Sequence, residues 1–224
     1  MENENEKWIV DTIVHMSGKY TPYQIFTDWI TMTAISISNA CRMMHDKVYY
    51  EREKRFKDIA NKYSKEEFLN ISNMTGALCG VLEEQGGDVL GDIYMKSGCG
   101  NKVTGQFFTP FNISYLTAAT VYDSQFNHLS ENEVIEIHEP SAGAGGMIIA
   151  VAQIMKERGL DYQRQLRVVA QDLDWNGVYM TYVQLSLMGI KAVVVQGDTL
   201  CDPYHSGYDE MRVLRTPAEM GMLL

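Results

Sequence analysis

A glycine-rich loop between an apolar run and a helical pattern constrains the fold of this chain more than any other feature. The run at residues 134–138 leads into Glu-Pro-Ser-Ala-Gly-Ala-Gly-Gly at residues 139–146, and apolar residues at helical spacing follow at once. Glycines let the backbone turn tightly and approach a ligand, and the free N–H groups at a helix start favour a carboxylate or phosphate. The pattern predicts a strand, a ligand-binding loop and a helix, and a purely structural turn is the alternative.

Strand and helix patterns alternate through the second half of the chain. The apolar runs rich in β-branched residues are 134–138, 166–170 and 191–195, and the helical stretches are 111–122, 146–158 and 175–188. Strands that alternate with helices form βαβ units and a parallel sheet. We therefore expect an α/β fold with a Rossmann-like parallel sheet.

Two aspartates follow the second and third predicted strands. Asp172 lies about thirty residues after the glycine loop, where an acid can accept hydrogen bonds from both ribose hydroxyls of a nucleoside. Asp198 follows the third strand, where a carboxylate can receive the exocyclic amine of adenine. Each acid alone could be a strand-end cap. Because open α/β sheets bind ligands at the carboxyl ends of their strands, the loop and both acids together predict a nucleoside cofactor.

Helical patterns fill the first part of the chain. Apolar residues recur at three- and four-residue spacing through residues 23–61, after a Thr-Pro start. Ser64 and Glu67 form a predicted capping box, and that helix should end before Gly86. A short element should cover residues 89–95.

A change of composition marks the predicted domain boundary. Residues 96–109 are rich in Gly, Ser, Asn and Lys, which is typical of a loop. We predict a helical N-terminal region at residues 1–104 and an α/β domain at residues 105–224.

Charge and cysteine content limit the possible functions. The net charge of −10 argues against a protein that holds duplex DNA unaided, because phosphate neutralisation by Lys and Arg supplies most non-specific affinity. The four cysteines form no CxxC pair, so we expect no metal site and no disulfide framework. The chain has no N-terminal signal pattern and no long apolar run, so we expect a cytoplasmic protein without a membrane segment.

Four segments occur in an order that matches a known family. They are Gly-Gln-Phe-Phe-Thr-Pro at 105–110, the loop at 139–146, the Gln-Asp end of the second strand with its helix at 178–189, and Gly-Asp-Thr-Leu at 197–200. Together they resemble the modification subunits of type I restriction systems and their class of DNA adenine-N6 methyltransferases. The resemblance covers residues 86–200.

The resemblance implies a cofactor and its binding residues. The family's loop is of the Asp/Glu-Pro-x-x-Gly-x-Gly kind and holds the amino-acid part of S-adenosyl-L-methionine, with the acids like Asp172 and Asp198 on its ribose and adenine. The segment like residues 106–110 closes over the methionine end. Carried over, the cofactor-binding residues are Gln106, Phe108, Thr109, Pro110, Glu139, Pro140, Ser141, Ala142, Gly143, Gly145, Gly146, Asp172, Leu173, Asp198, Thr199 and Leu200. A plain loop role for Gln106 and a core role for Phe108 are the alternatives.

The catalytic signature of the family is missing from this sequence. The family has Asn or Asp, Pro, Pro and an aromatic residue after its fourth strand, where they bind the target amine and stack on the flipped base. The nearest match is Asp202-Pro203-Tyr204, which lacks one proline and follows Asp198 too closely, so we predict a loop there. A short fourth strand is expected at residues 211–214, without that signature.

Two main hypotheses and a third follow from these observations. The chain is either an adenine-N6 DNA methyltransferase that works with a partner subunit, or a non-catalytic binding or anti-restriction module that docks on a DNA-modification complex. A purely structural protein with an empty pocket is the third. The family's sheet has about seven strands, so we expect the helical region, a homodimer or another subunit to cover the truncated sheet.

Overall fold

The structure is a computed structural model that describes residues 3–100 and 108–222. The chain divides into two compact units, Met1–Phe107 and Phe108–Leu224, which we call the helical unit and the α/β unit. Residues 104 and 105, between which the sequence predicts the domain boundary, lie outside the described residues, and that boundary stays a prediction. In the described ranges, no helix is both long enough and apolar enough to cross a membrane.

The described part of the helical unit consists of helices. They are α1 (Glu4–Met16), α2 (Pro22–Ala40), α3 (Lys47–Ala60), α4 (Lys65–Gln85) and α5 (Val89–Lys96). The predicted capping box of Ser64 and Glu67 at the start of α4 is confirmed, and so is the end of α4 at Gly86, whose φ is 65°. The predicted helical region at residues 23–61 is two helices, because Asp46 caps a new helix by accepting a hydrogen bond from the N–H of Tyr49. Helix α1 was not predicted.

Aromatic packing holds the core of the helical unit. The ring of Phe26 contacts those of Trp29 and Tyr94 edge to face, an arrangement that aromatic quadrupoles favour. The indole N–H of Trp29 donates to Thr75 Oγ1 over 3.0 Å, so the one polar atom of this large side chain is satisfied within the core.

Helices and strands alternate in the α/β unit, as the sequence predicts. The order is α6 (Phe111–Phe126), β1 (Ile135–Glu139), α7 (Gly146–Glu157), α8 (Tyr162–Gln165), β2 (Leu166–Asp172), α9 (Trp175–Leu187), β3 (Lys191–Gln196), a short 3-10 helix (Glu210–Arg212) and β4 (Val213–Arg215). The α/β fold class is therefore confirmed.

The described strands form one mixed sheet in the order β1-β2-β3-β4. The pairs β1·β2 and β2·β3 are parallel, with Ile137 opposite Val168 and Val169 opposite Val193. One face of β2 and β3 is fully buried, because α9 packs on both strands. Because β1, β2 and β3 are parallel, their carboxyl ends meet at one edge of the sheet. The glycine loop starts from this edge.

The fourth strand differs from the expectation in position and direction. We expected it at residues 211–214, but β4 begins at Val213 and pairs antiparallel with β3, on the side of the sheet opposite β1. Thr216 explains this placement: its hydroxyl donates to the carbonyl of Ile190 over 2.7 Å, and the N–H of Ala192 donates to it over 2.9 Å. These contacts fasten the segment after β4 along β3.

Candidate functional site

The glycine loop turns tightly at the carboxyl end of β1. Gly143 and Gly145 have φ values of 55° and 93°, a left-handed conformation that favours glycine. The N–H of Ala142 donates to the carbonyl of Gln171 over 3.0 Å, which ties the loop to β2. Helix α7 then begins at Gly146, with no side-chain cap at its start. The free N–H groups there can bind a carboxylate.

Helix α9 supports the glycine loop with side chains that sequence reasoning missed. Thr181 Oγ1 donates to the carbonyl of Gly143 over 2.9 Å, and Gln184 Nε2 donates to that of Ala144 over 2.8 Å. Gly177 lies on the same face, where a Cβ would stand 3.0 Å from Asp172 Cγ and from the Gly143 oxygen. The spacing of residues 177, 181 and 184 in an apolar helix is the pattern that could have indicated this contact.

Asp172 joins the ends of the first two strands. Its carboxylate accepts hydrogen bonds from the N–H of Gly143 over 2.7 Å and from the N–H of Asp174 over 2.8 Å. Its main-chain carbonyl accepts from the N–H of Gly197 over 2.8 Å, just after β3. Burial raises the pKa of Asp172, and the two N–H donors oppose that effect only in part.

Asp198 organises the turn after β3. Its Oδ1 accepts hydrogen bonds from the N–H groups of Leu200 over 3.0 Å and Cys201 over 3.4 Å. These contacts, the N–H of Leu200 above all, lower the pKa of Asp198. The hydrogen bond to Asp198 raises the pKa of the exposed Cys201 thiol.

Hydrogen bonds tie the three loops at the carboxyl ends of the strands to one another. Thr199 Oγ1 donates to the carbonyl of Pro140 over 2.8 Å, and Gln196 Nε2 donates to that of Leu173 over 2.7 Å. Two apolar side chains nevertheless point outward at this edge, since Leu173 is 67% and Leu200 96% exposed. These two side chains therefore offer apolar surface next to the polar groups of the loops.

The segment at Asp202-Pro203-Tyr204 is a loop, as predicted. The side-chain amide of Gln171 makes two hydrogen bonds to the main chain of this loop. Its Nε2 donates to the carbonyl of Asp202 over 2.9 Å, and its Oε1 accepts from the N–H of Tyr204 over 3.1 Å. Gln171 is fully buried at the end of β2. The loop is therefore held at the carboxyl end of β2.

The loops at the carboxyl ends of the strands are rich in carboxylates. Besides Asp172 and Asp198, three further acids lie at or near the strand ends: Glu139, Asp174 and Asp202. Arg212 is near Asp202, with 3.7 Å between Nη1 and Oδ2, and donates from Nε to Gln196 Oε1 over 2.8 Å. In the described residues, no group of three or more His, Cys, Asp and Glu could hold a metal ion.

The structure brings most of the predicted cofactor residues to this edge. Residues 139–146, Asp172, Leu173 and residues 198–200 occupy the three connected loops. Phe108 lies beside the glycine loop, because a Cβ on Gly143 would be 3.0 Å from Phe108 Cδ1, and Pro110 starts α6. Gln106 is outside the described residues. The cofactor-binding role of all of them stays a prediction.

The sequence of this chain matches the model of one protein family. The model of the family described as N-6 DNA methylase matches residues 85–217, more than half of the chain. The chain belongs to the N-6 DNA methylase family. The predicted family membership is therefore confirmed, and the matched range contains the glycine loop, both acids and all four strands of the described sheet.

Solved structures of methyltransferases are similar to this N-6 DNA methylase family member. One, from Listeria monocytogenes and described as a class I S-adenosylmethionine-dependent methyltransferase, is 14% identical over 90% of this chain, with a TM-score of 0.46. Another, a type I restriction-modification methyltransferase subunit from Streptococcus thermophilus, is 16% identical over 87% of this chain, with a TM-score of 0.44. The matches cover 55% and 43% of those chains, so this chain spans about half their length. No curated protein matches it.

The contact between α9 and the glycine loop predicts the effect of a substitution. Gly177→Ala should lower the free energy of unfolding by about 1 to 3 kcal/mol, because the added methyl would crowd both Asp172 Cγ and the Gly143 oxygen. Urea unfolding followed by circular dichroism measures this change. Gly76→Ala is the matched control in helix α4, where nothing lies within 4 Å of an added Cβ. It should stabilise the chain by up to about 1 kcal/mol. Equal stability of the two variants would contradict the tight contact.

Proposed function

We propose that this chain binds S-adenosyl-L-methionine at the carboxyl ends of β1, β2 and β3. The position of Asp172 is the observation that carries the proposal. Its two carboxylate oxygens each accept one backbone N–H, and a carboxylate offers about four acceptor positions. The remaining positions suit two ribose hydroxyls beside the glycine loop.

The amino-acid part of the cofactor suits the start of α7. Its carboxylate would receive the free N–H groups after Gly145, where no side chain competes. The ammonium and sulfonium groups are positive, and the carboxylates at this edge, Glu139 among them, favour positive charge. A dinucleotide would instead bring a pyrophosphate toward these acids, which supports a methyl donor over a nicotinamide cofactor.

The adenine ring suits the surface formed by the loops after β2 and β3. Leu173 and Leu200 offer apolar contact on exposed side chains. The backbone hydrogen bonds that lower the pKa of Asp198 stabilise its ionised carboxylate, which can accept a hydrogen bond from the exocyclic amine. Phe108, Thr109 and Pro110, with Gln106, would close over the methionine end, and the placement of Phe108 against Gly143 supports that role.

We further propose a role in adenine-N6 methylation of DNA, with weak or no activity of the chain alone. The sequence lacks the Asn/Asp-Pro-Pro-aromatic signature that would hold the target base, and its closest match is hydrogen-bonded to Gln171 at the end of β2. The net charge of −10 disfavours contact with DNA phosphates. A partner subunit would therefore supply both the base-binding residues and the DNA contacts, in the cytoplasm.

A non-catalytic module is the second candidate. In this alternative the chain binds the cofactor and docks on a DNA-modification complex, for instance to interfere with restriction. The end of β4 favours it, because β4 pairs antiparallel with β3 and leads into Thr216-Pro217 rather than into a base-binding signature.

Substitution of Asp172 tests cofactor binding. Asp172→Ala should weaken the binding of S-adenosylmethionine by about 2 kcal/mol or more, roughly thirtyfold, because it removes a charged acceptor of two hydrogen bonds. Isothermal titration calorimetry measures the affinity, and circular dichroism checks the fold. Asp11→Ala, on the exposed surface of α1, should leave the affinity unchanged. Equal affinities of the two variants would remove the basis of the proposed site.

The thiol of Cys201 reports on the same site. Bound S-adenosylmethionine should slow the alkylation of Cys201 by iodoacetamide several-fold, because the cofactor would cover the turn at Asp198. Cys79, in the helical unit, should react at an unchanged rate, and peptide mass spectrometry distinguishes the two thiols. Asp198→Asn should speed alkylation of Cys201 below pH 9, because the hydrogen bond to Asp198 raises the pKa of this thiol. No protection by saturating cofactor would place the adenine elsewhere.

Methyl transfer separates the two candidates. We expect no incorporation of a radiolabelled methyl group into DNA by the chain alone. Incorporation should appear when a partner subunit with the missing base-binding signature is added, if the chain is part of an enzyme. Cofactor binding without incorporation in any combination would support the non-catalytic module. Efficient transfer by the chain alone would refute our assignment of weak or no independent activity.

A further inference from the structure

The segment at residues 202–212 contains none of the predicted cofactor-binding residues and no base-binding signature. It is nevertheless hydrogen-bonded at both ends to the strands that carry the candidate site. Gln171 at the end of β2 holds its start. At its end, Arg212 Nε donates to the side-chain oxygen of Gln196, the last residue of β3, over 2.8 Å. The contact between Arg212 and Gln196 leads into the candidate site.

Arg212 determines the orientation of the Gln196 side chain. An arginine side chain can only donate hydrogen bonds, so it must meet the amide oxygen of Gln196. The amide nitrogen of Gln196 then points the other way and donates to the carbonyl of Leu173 over 2.7 Å. A reversed amide would set its nitrogen against the guanidinium and its oxygen against the carbonyl, and both hydrogen bonds would be lost.

Neighbouring groups hold the guanidinium of Arg212 in place. Its Cζ lies over the ring of Tyr208, 5.3 Å from the ring centroid, at a distance where a cation is attracted to an aromatic face. A Cβ on Gly197 would stand 3.2 Å from Arg212 Nη2 and 2.1 Å from the Tyr208 hydroxyl oxygen. The close approach of these two side chains therefore requires glycine at position 197.

Leu173 is the point at which this chain of hydrogen bonds reaches the candidate site. Leu173 lies between Asp172 and Asp174, and the N–H of Asp174 donates to the Asp172 carboxylate over 2.8 Å. The N–H of Gly197, next to Gln196, donates to the main-chain carbonyl of Asp172 over 2.8 Å. The hydrogen bond from Gln196 to Leu173 thus fixes the main chain that directs the Asp172 carboxylate.

We propose that Arg212 and Gln196 are positioning residues for the nucleoside part of the cofactor. Arg212 acts through Gln196, and Gln196 acts through the main chain at Leu173, without contact between either side chain and the ligand. The segment at residues 202–212 then supports the methyl-donor site and not a target base. This assignment rests on the proposed function, because the ligand is the one proposed for the carboxyl ends of the strands.

An isosteric substitution tests the assignment on the full chain. Gln196→Glu keeps the acceptor for Arg212 and removes the donor to Leu173. The probe is S-adenosylhomocysteine, which has no net charge, so the added carboxylate does not attract it as it would a sulfonium. The variant should bind the probe about tenfold more weakly in isothermal titration calorimetry, and circular dichroism checks the fold.

Gln163→Glu is the matched control. Gln163 in α8 also donates from Nε2 to a main-chain carbonyl, that of Met188, over 2.9 Å, but its contact is at the start of β3 and not at the carboxyl ends of the strands. The control variant should bind the probe as tightly as the unaltered chain. Without any ligand, hydrogen exchange of the Asp174 and Gly197 amides should be faster in Gln196→Glu and unchanged in Gln163→Glu.

Substitution of Arg212 tests the same contacts from their other end. Arg212→Met should weaken the probe at least about threefold, because the Gln196 amide is then free to turn away from Leu173. The double variant with Gln196→Glu should bind no more weakly than Gln196→Glu alone, because residues that act in series give non-additive effects. A general loss of stability would instead make the two losses add.

Three results would overturn the assignment. Equal affinities of the Gln196→Glu and Gln163→Glu variants, with binding that still depends on Asp172, would refute the positioning role and leave the proposed cofactor site intact. Additive losses in the double variant would mean that Arg212 does not act through Gln196. No binding of S-adenosylhomocysteine by the unaltered chain would refute the proposed cofactor site and the positioning role together.

Discussion

The hydrogen bond from the N–H of Gly143 to the carboxylate of Asp172 is the contact on which the candidate site depends. It joins the glycine loop after β1 to the end of β2 over 2.7 Å, and the carbonyl of Asp172 continues the connection to Gly197 after β3. Because burial raises the pKa of Asp172, the fold keeps a carboxylate where its ionised form is disfavoured. Such a cost is typical of functional positions.

The acids at the carboxyl ends of the strands explain both what the site favours and what it opposes. Asp172 and Asp198 suit a ligand that donates hydrogen bonds and carries positive charge, and the free N–H groups at α7 suit a single carboxylate. The same acids repel the phosphates of DNA. The net charge of −10 likewise disfavours contact with DNA phosphates, which is the physical basis for proposing a partner.

The two sides of the described sheet differ in how the outer polar groups of the strands are paired. At β3, the short antiparallel β4 and Thr216 satisfy the outer polar groups of the strand. At β1, the described residues provide no strand, and apolar residues of β1 and α6 stay partly exposed.

Features that depend on near neighbours along the chain could be predicted from the sequence: the strand, loop and helix around residues 139–146, the capping box at Ser64, and the position of both acids at strand ends. The sequence also carried the family membership, since the matching segments are local motifs. The antiparallel placement of β4 and the support of the loop by Thr181 and Gln184 became visible only in the folded chain. These depend on contacts between residues far apart in sequence, such as Thr216 with Ile190, and local patterns do not encode which distant surfaces meet.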